Sequence, residues 1–253
     1  MREDADLQIT TLGTSHGDAT YERFNSVTLY EANGAAYLVD AGAPVNALLV
    51  RQQKPLHNLK AVFITHMHDD HVGGVPGLVK SLIKHAVPGQ HTTVFLPEAR
   101  ALPALRDWLA VQHIDVEDSC VSLAVVEPGF AYDDGTLRVT AVPTQHLPAE
   151  PPITFAFLLE GAGRTVLHTG DLAADFSDFP REAAQGADAC VCEATHFPPA
   201  VAVPVLQHCS LGRLILNHVH DPWHGPGEAK LLEHYASLPY PVAVAHDGDV
   251  YRV

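Results

Sequence analysis

Residues 64–74 read ITHMHDDHVGG, which puts three histidines and two aspartates into six consecutive positions. The apolar run AVFI leads into them and a pair of glycines follows. Read as ligands, the stretch is His66-x-His68-x-Asp70-His71. Alternating residues beyond a strand can aim His66 and His68 at one metal ion while Asp70 and His71 face a second. Neutral imidazoles and carboxylates suit zinc, with manganese and iron as further fits. Asp69 stands between ligands and is expected to face solvent or to buttress its neighbours.

The rest of the chain repeats the theme. It holds seventeen histidines, and histidine is the commonest metal ligand. His146 follows VTAVPTQ, His168 and Asp171 follow TVL, His218 follows LIL and His246 follows VAVA. A single histidine after an apolar run is usually a hydrogen-bonded or surface residue. Recurrence at the same position points to one rim of a sheet, where rigid elements can build a site.

The elements that would position these residues are apolar runs bounded by turn residues. LQITTLG, SVTLYEA, AAYLVDAG, KAVFITH, TTVFLP, LRVTAVPT, ITFAFLLEG, RTVLHTGD, ACVCEA, GRLILNH and PVAVAHDG read as strands. Helical periodicity is clearest in GVPGLVKSLIKHA, PEARALPALRDWLAVQ and PGEAKLLEHYASL. These helices are too long and amphipathic to be loop decorations, so an α/β architecture with two sheets between helical layers is expected. With 253 residues, 47% of them apolar, residues 1–253 are expected to form a single compact domain.

Composition narrows the partners. MREDADLQIT lacks the charged and apolar regions of a leader, and no apolar run approaches the roughly 18 to 20 residues of a membrane span. A soluble, cytoplasmic protein with no membrane partner is expected. Cys120, Cys190, Cys192 and Cys209 form no CxxC pair and read as reduced thiols. Fifteen basic against thirty acidic residues give a formal net charge of -15. Such a surface repels a phosphate backbone, so no long nucleic acid is expected and a small-molecule substrate is. A homodimer is compatible with the sequence.

The HxHxDH pattern, with a later lone histidine, a GD aspartate and a final histidine, resembles the metallo-β-lactamase-fold hydrolases. TLGTSHGD, RFNSVTLYEANGAAYLVDAG, the metal motif, TQHLP, HTGD and CEATHF fall in that family's order along nearly the whole chain. The resemblance implies a four-layered αββα sandwich with the site along the edge between the sheets. It implies His66, His68 and His146 on one metal, Asp70, His71 and His218 on the other, and Asp171 bridging two divalent ions. A hydroxide between ions roughly 3.5 to 4 Å apart is a nucleophile at neutral pH, so the implied chemistry is hydrolysis. The last ligand has several candidates, because LILNHVHDPWHG offers His218, His220 and His224, and His246 follows. His218 matches the family's position after an apolar strand. His220 is then left for proton transfer, and His246 either enters the site as a substrate or acid residue or is structural.

Within the family, β-lactam hydrolases with the full motif lack the bridging Asp, and flavodiiron relatives carry Glu where His68 stands. The N-terminal LGTSHGD, RFNS and EATHF resemble instead the branch of ribonuclease Z and the carbon-phosphorus lyase pathway phosphodiesterase. That resemblance implies phosphodiester cleavage, with His196 or His220 protonating the leaving oxygen. Asp70, His196, His220 and His246 are thus the residues expected to act in catalysis, Asp70 from within the ligand set. Two departures matter. The short interval from His146 to Asp171 leaves no room for the RNA-gripping arm of ribonuclease Z, and the absence of any cysteine before Cys120 removes the extra zinc site of the pathway enzyme. The expected substrates are small phosphodiesters, cyclic or nucleotide-derived. The alternatives are a carboxylic ester or lactone hydrolase, or a non-catalytic metal-binding protein.

Overall fold

The computed structural model describes residues 7–127 and 129–253. Residues 1–6, part of the stretch read above as lacking a leader, lie outside them. The strands are β1 Gln8–Gly13, β2 Val27–Ala32, β3 Ala35–Val39, β4 Leu59–Phe63, β5 Thr92–Leu96, β6 Val121–Val125 and β7 Ala131–Asp133. They continue with β8 Leu137–Pro143, β9 Phe155–Gly161, β10 Arg164–His168, β11 Ala189–Ala194, β12 Leu214–Val219, β13 Val242–Val244 and β14 Asp249–Arg252. The helices are α1 Val45–Arg51, α2 Asp69–Val72, α3 Val75–Lys84, α4 Ala101–Val111, α5 Arg181–Ala184, α6 Pro199–Leu206 and α7 Gly227–Tyr235. None of them is long and apolar enough to cross a membrane.

Two seven-stranded sheets result, ordered β14-β1-β2-β3-β4-β5-β6 and β13-β12-β11-β10-β9-β8-β7. Each is antiparallel on one side and parallel on the other, the parallel pairs being β3 to β6 and β10 to β13. A parallel pair needs a crossover, and helices supply it. Helices α1, α3 and α4 lie over the first sheet, where Val45, Leu48, Leu78, Val79 and Leu109 pack on Leu29, Leu38 and Val62. Helices α6 and α7 lie over the second, where Leu206, Leu231 and Tyr235 meet Cys192, Leu214 and Leu216. Between the sheets Ile9, Tyr30, Tyr37 and Phe63 interdigitate with Val139, Phe157, Val166, Val191 and Ile215. The layers are therefore αββα.

Eleven of the strands coincide with the apolar runs read from the sequence. The three that do not, β6, β7 and β14, are all sheet edges. Their half-exposed patterns reflect the need of an edge to carry polar side chains rather than a continuous apolar run. Helix α4 starts at Ala101, later than its proline signal at Pro97, and α6 forms despite Pro204 inside it. Cys190, Cys192 and Cys209 are buried and Cys120 is half-buried, all as free thiols.

Phe63 sits at the centre of the inter-sheet layer, fully buried, with ring centroids 5.3 Å from Phe95, 5.3 Å from Tyr132 and 5.6 Å from Phe157. Phe63→Ala should destabilise the chain by about 3–5 kcal/mol. Denaturant unfolding monitored by circular dichroism checks this, and a loss below about 1 kcal/mol would mean that the two sheets close over the gap.

Candidate active site

The polypeptide leaves β4 at Phe63 and turns across the rim of both sheets. His66 lies in the connecting loop, His68 caps α2, and Asp70 and His71 fill the first turn of that helix. The position of this loop is set by Asp40, which follows β3 and is fully buried. Its Oδ1 accepts the Thr65 N–H at 2.8 Å, and its Oδ2 lies 2.7 Å from His71 Nδ1. Asp40 adopts the left-handed region, φ 61°, a conformation that non-glycine residues hold only when their surroundings over-determine it. Gly42 makes room for the helix start, since a Cβ there would lie 2.1 Å from the Asp70 carbonyl oxygen.

The second sheet contributes the remaining groups. His146 follows β8 and places Nδ1 3.4 Å from the Leu172 carbonyl. Asp171 follows β10 through Gly170, whose φ of 59° and contact with Thr65 exclude a side chain. His218 belongs to β12 itself, where it bulges out of the pairing between Asn217 and Val219 with φ 48°. The sequence reading placed it just beyond the strand. A bulge achieves the same end by turning one side chain out of the ladder toward the site.

These residues form two triangles of nitrogen and oxygen atoms. In the first, His66 Nε2 lies 2.9 Å from His68 Nδ1, which lies 3.4 Å from His146 Nε2. In the second, His71 Nε2 and His218 Nε2 are 3.1 Å apart, and lie 3.3 and 3.0 Å from Asp70 Oδ2. Asp171 stands between them: Oδ2 is 3.6 Å from His66, 3.9 Å from His146 and 3.4 Å from His71, and Oδ1 is 3.7 Å from His218. An ion with ligands at about 2.0–2.1 Å has tetrahedral edges of about 3.3–3.4 Å, so each triangle is the size of a metal's donor set.

The electrostatics fit a cation as well. Asp171 Oδ1 is buried with no hydrogen-bond partner. Burial would raise the Asp171 carboxyl, yet the surrounding imidazoles, His218 and His71 foremost, hold it well below the ordinary range. Burial likewise opposes a charge on His71, but Asp171 and Asp40 outweigh it and raise its pKa well above 6.5. The cleft thus demands positive charge. Burial, and then the neighbouring His71, push His66 down to about 2, which keeps its lone pair free for coordination.

Residues 7–198 match the family model described as anti-Pycsar protein Apyc1. The chain belongs to that family. It is also 35% identical over 159 residues to ribonuclease Z of Pseudomonas putida strain F1, a match covering 60% of this chain and 46% of that protein. It spans about half the length of this relative. Among solved structures it resembles the metallo-β-lactamase fold protein YhfI from Bacillus subtilis, with TM-score 0.78, 19% identity and 97% and 99% of the two chains covered. Human tRNase Z, short form, gives TM-score 0.76 at 21% identity over 96% and 98%. The fold is the metallo-β-lactamase fold. The family match ends before His218, so the last histidine of the second triangle rests on geometry.

The other residues singled out in the sequence divide. His196, in the loop after β11, joins the site: its Nδ1 lies 3.7 Å from Asp171 Oδ2, and its ring centroid is 4.5 Å from His146. His220 packs edge-on against His16 at 5.0 Å and faces a separate cluster. His246 is a correction, because its half-exposed ring is held by Glu228 at 2.9 Å and Asp249 at 3.3 Å, away from the triangles. His168 sits beneath the site, buried against the Tyr30 hydroxyl at 2.9 Å, and burial lowers it to about 4. Asp69 is exposed, as expected.

Two residues were missed. Asp40 ended a strand read only for its apolar pattern. Glu193 is buried within ACVCEA, with Oε1 accepting the Leu172 N–H at 2.6 Å and Oε2 2.9 Å from His196 Nδ1. A carboxylate inside a fully buried strand was the available signal, because buried acids persist only with partners.

Asp171 touches both triangles, so Asp171→Ala should lower the metal content of zinc-reconstituted protein by two ions per chain relative to the wild type. His218→Ala should lose one ion and His220→Ala none of these. Elemental analysis after gel filtration decides, and retention of both ions in Asp171→Ala would disprove a shared carboxylate.

Proposed function

We propose that the chain is a dinuclear metal-dependent hydrolase, its described sheets and helices acting as one domain, that cleaves small phosphodiesters of cyclic or nucleotide-derived type. His66, His68 and His146 would hold one ion, Asp70, His71 and His218 the other, and Asp171 both. The observation that carries this reading is the pair of triangles sharing Asp171, with His196 beside them. Two divalent ions, zinc foremost and manganese or iron as alternatives, supply an acidified water and neutralise charge on a phosphate when bound.

The chain's own residues account for the rest of the chemistry. His196 Nδ1 points to Glu193, leaving Nε2 as the nitrogen that can give a proton to the leaving alkoxide. Burial works against a charged His196, but Glu193 and then Asp171 overcome it and raise its pKa. The ring therefore keeps its proton more readily at neutral pH than an ordinary histidine, as a general acid requires. Glu193 orients it, and Leu172, Thr195 and His196 backbone N–H groups fix Glu193 in turn.

Small substrates are favoured over long RNA on two grounds. The interval from His146 to Asp171 is filled by β9 and β10, a hairpin of the sheet itself, which supports the absence of an RNA-binding arm. The net charge of -15 opposes a polyanion over distances the site's cations cannot offset, since they are screened beyond about 8–10 Å at physiological salt.

Bis(p-nitrophenyl) phosphate and cyclic mononucleotides should be hydrolysed, and precursor transfer RNA should not. A lactone turned over far faster than any phosphodiester would instead favour the carboxylic ester reading, and no turnover of any of them the binding-protein reading. His196→Ala should retain its metal and lose about 10²–10⁴ in kcat on substrates with an alkoxide leaving group. On p-nitrophenyl esters, whose leaving group needs no proton, the loss should be much smaller. Equal losses on both would remove His196 from the role of acid.

A further inference from the structure

A second group of imidazoles lies beyond the two triangles. His16 sits in the loop after β1, which is joined to the end of β12 by the Ser15–Val219 bridge and by the Val219 N–H donating to the Thr14 carbonyl at 2.9 Å. Asp221 opens a 3₁₀ turn over residues 221–223 immediately after β12, and His224 closes it. His16 Nδ1 is 3.8 Å, and His224 Nδ1 3.7 Å, from the same oxygen, Asp221 Oδ1. Taking one ligand atom from each residue, the three groups lie within 4.8 Å of one another.

The hydrogen bonding defines what these atoms carry. His224 Nε2 lies 2.8 Å from the Val219 carbonyl. A carbonyl only accepts, so Nε2 holds the hydrogen and Nδ1 of the neutral ring holds a lone pair. His16 Nδ1 is buried and has no hydrogen-bond partner. The Nδ1 atoms of His16 and His224 thus lie close to one carboxylate oxygen with no hydrogen bond to it from either ring.

Separations of 3.7–3.8 Å are too long for hydrogen bonds. They are close to the spacing of two ligands on one ion, about 3.3–3.7 Å for bonds of about 2.0–2.2 Å at tetrahedral to trigonal angles. A carbonyl fixing the far nitrogen of a histidine, as Val219 does for His224, is the outer support that metal-binding histidines commonly have. Two imidazoles with one carboxylate select a borderline transition metal over magnesium or calcium.

We propose that His16, Asp221 and His224 form a third, mononuclear site for a divalent transition-metal ion such as zinc. The ion fastens the loop after β1 to the turn after β12, and so braces the strand that carries His218. The site shares no ligand with the two triangles and does not rest on the hydrolase reading.

The test compares the zinc content of reconstituted wild type, Asp221→Ala and His16→Ala, each desalted before elemental analysis. Asp221 is 63% exposed, so its replacement leaves the fold intact, and circular dichroism verifies this for both variants. Each variant should hold one ion fewer than the wild type, whatever the wild-type total. Asp171→Ala should still hold this ion, so a failed dinuclear site and a failed third site are told apart. Cobalt titration adds a spectroscopic readout, with one set of visible d–d bands missing in Asp221→Ala. Wild-type metal content in both variants, or a third ion that disappears in Asp171→Ala, would overturn the proposal.

Discussion

Three carboxylates, Asp40, Asp70 and Asp171, are buried within one cleft at the rim of two sheets, and the surrounding structure follows from that concentration of negative charge. Uncompensated, such charge would be expelled from a folded interior or neutralised by protonation. Here five imidazoles are interleaved with it so that nitrogen lone pairs and carboxylate oxygens share two small volumes. The raised pKa of His71 and the depressed one of Asp171 are two expressions of the same demand for positive charge.

Meeting that demand dictates local backbone conformations that the sequence would not otherwise choose. Asp40 and His218 occupy the left-handed region without being glycine, and Gly170 occupies it beside a side chain that leaves no room for a Cβ. All three lie where a strand ends or bulges at the carboxyl edge of the parallel strands, the edge where open α/β sheets place their ligands. The inter-sheet aromatic layer around Phe63 and the two outer helical layers hold those strand ends in place. Local strain is thereby offset by packing elsewhere in the fold.

Much of this was legible in the sequence because its signals are local. The HxHxDH motif is contiguous, and eleven strands announce themselves as apolar runs. His146, Asp171 and His218 were found by their places after such runs, helped by the resemblance to a known family. What escaped was information carried by tertiary context. The edge strands β6, β7 and β14 have no apolar face long enough to register. Asp40 acts through His71, 31 positions further on, and nothing adjacent in sequence joins that pair. Glu193 stands three residues before His196, and its role shows only once both are seen to share the site. His220 and His246 share the strand-end position of residues in the two triangles, yet the turn after β12 packs His220 against His16 and the Glu228 carboxylate holds His246. Position after a strand predicts which rim a histidine reaches and does not fix which way its ring faces.

The second triangle joins residues far apart along the chain: His71 and His218 meet across 147 positions. During synthesis from the N-terminus, the motif at residues 66–71 is therefore made long before its partner exists. A nascent chain can present a fragment of the site, with imidazoles open to adventitious metals, but completes the second donor set only after β12 has docked. Ion capture then comes last, as a latch on an already assembled sandwich. Metal supply would accordingly govern how long the finished fold persists more than how quickly its first sheet forms.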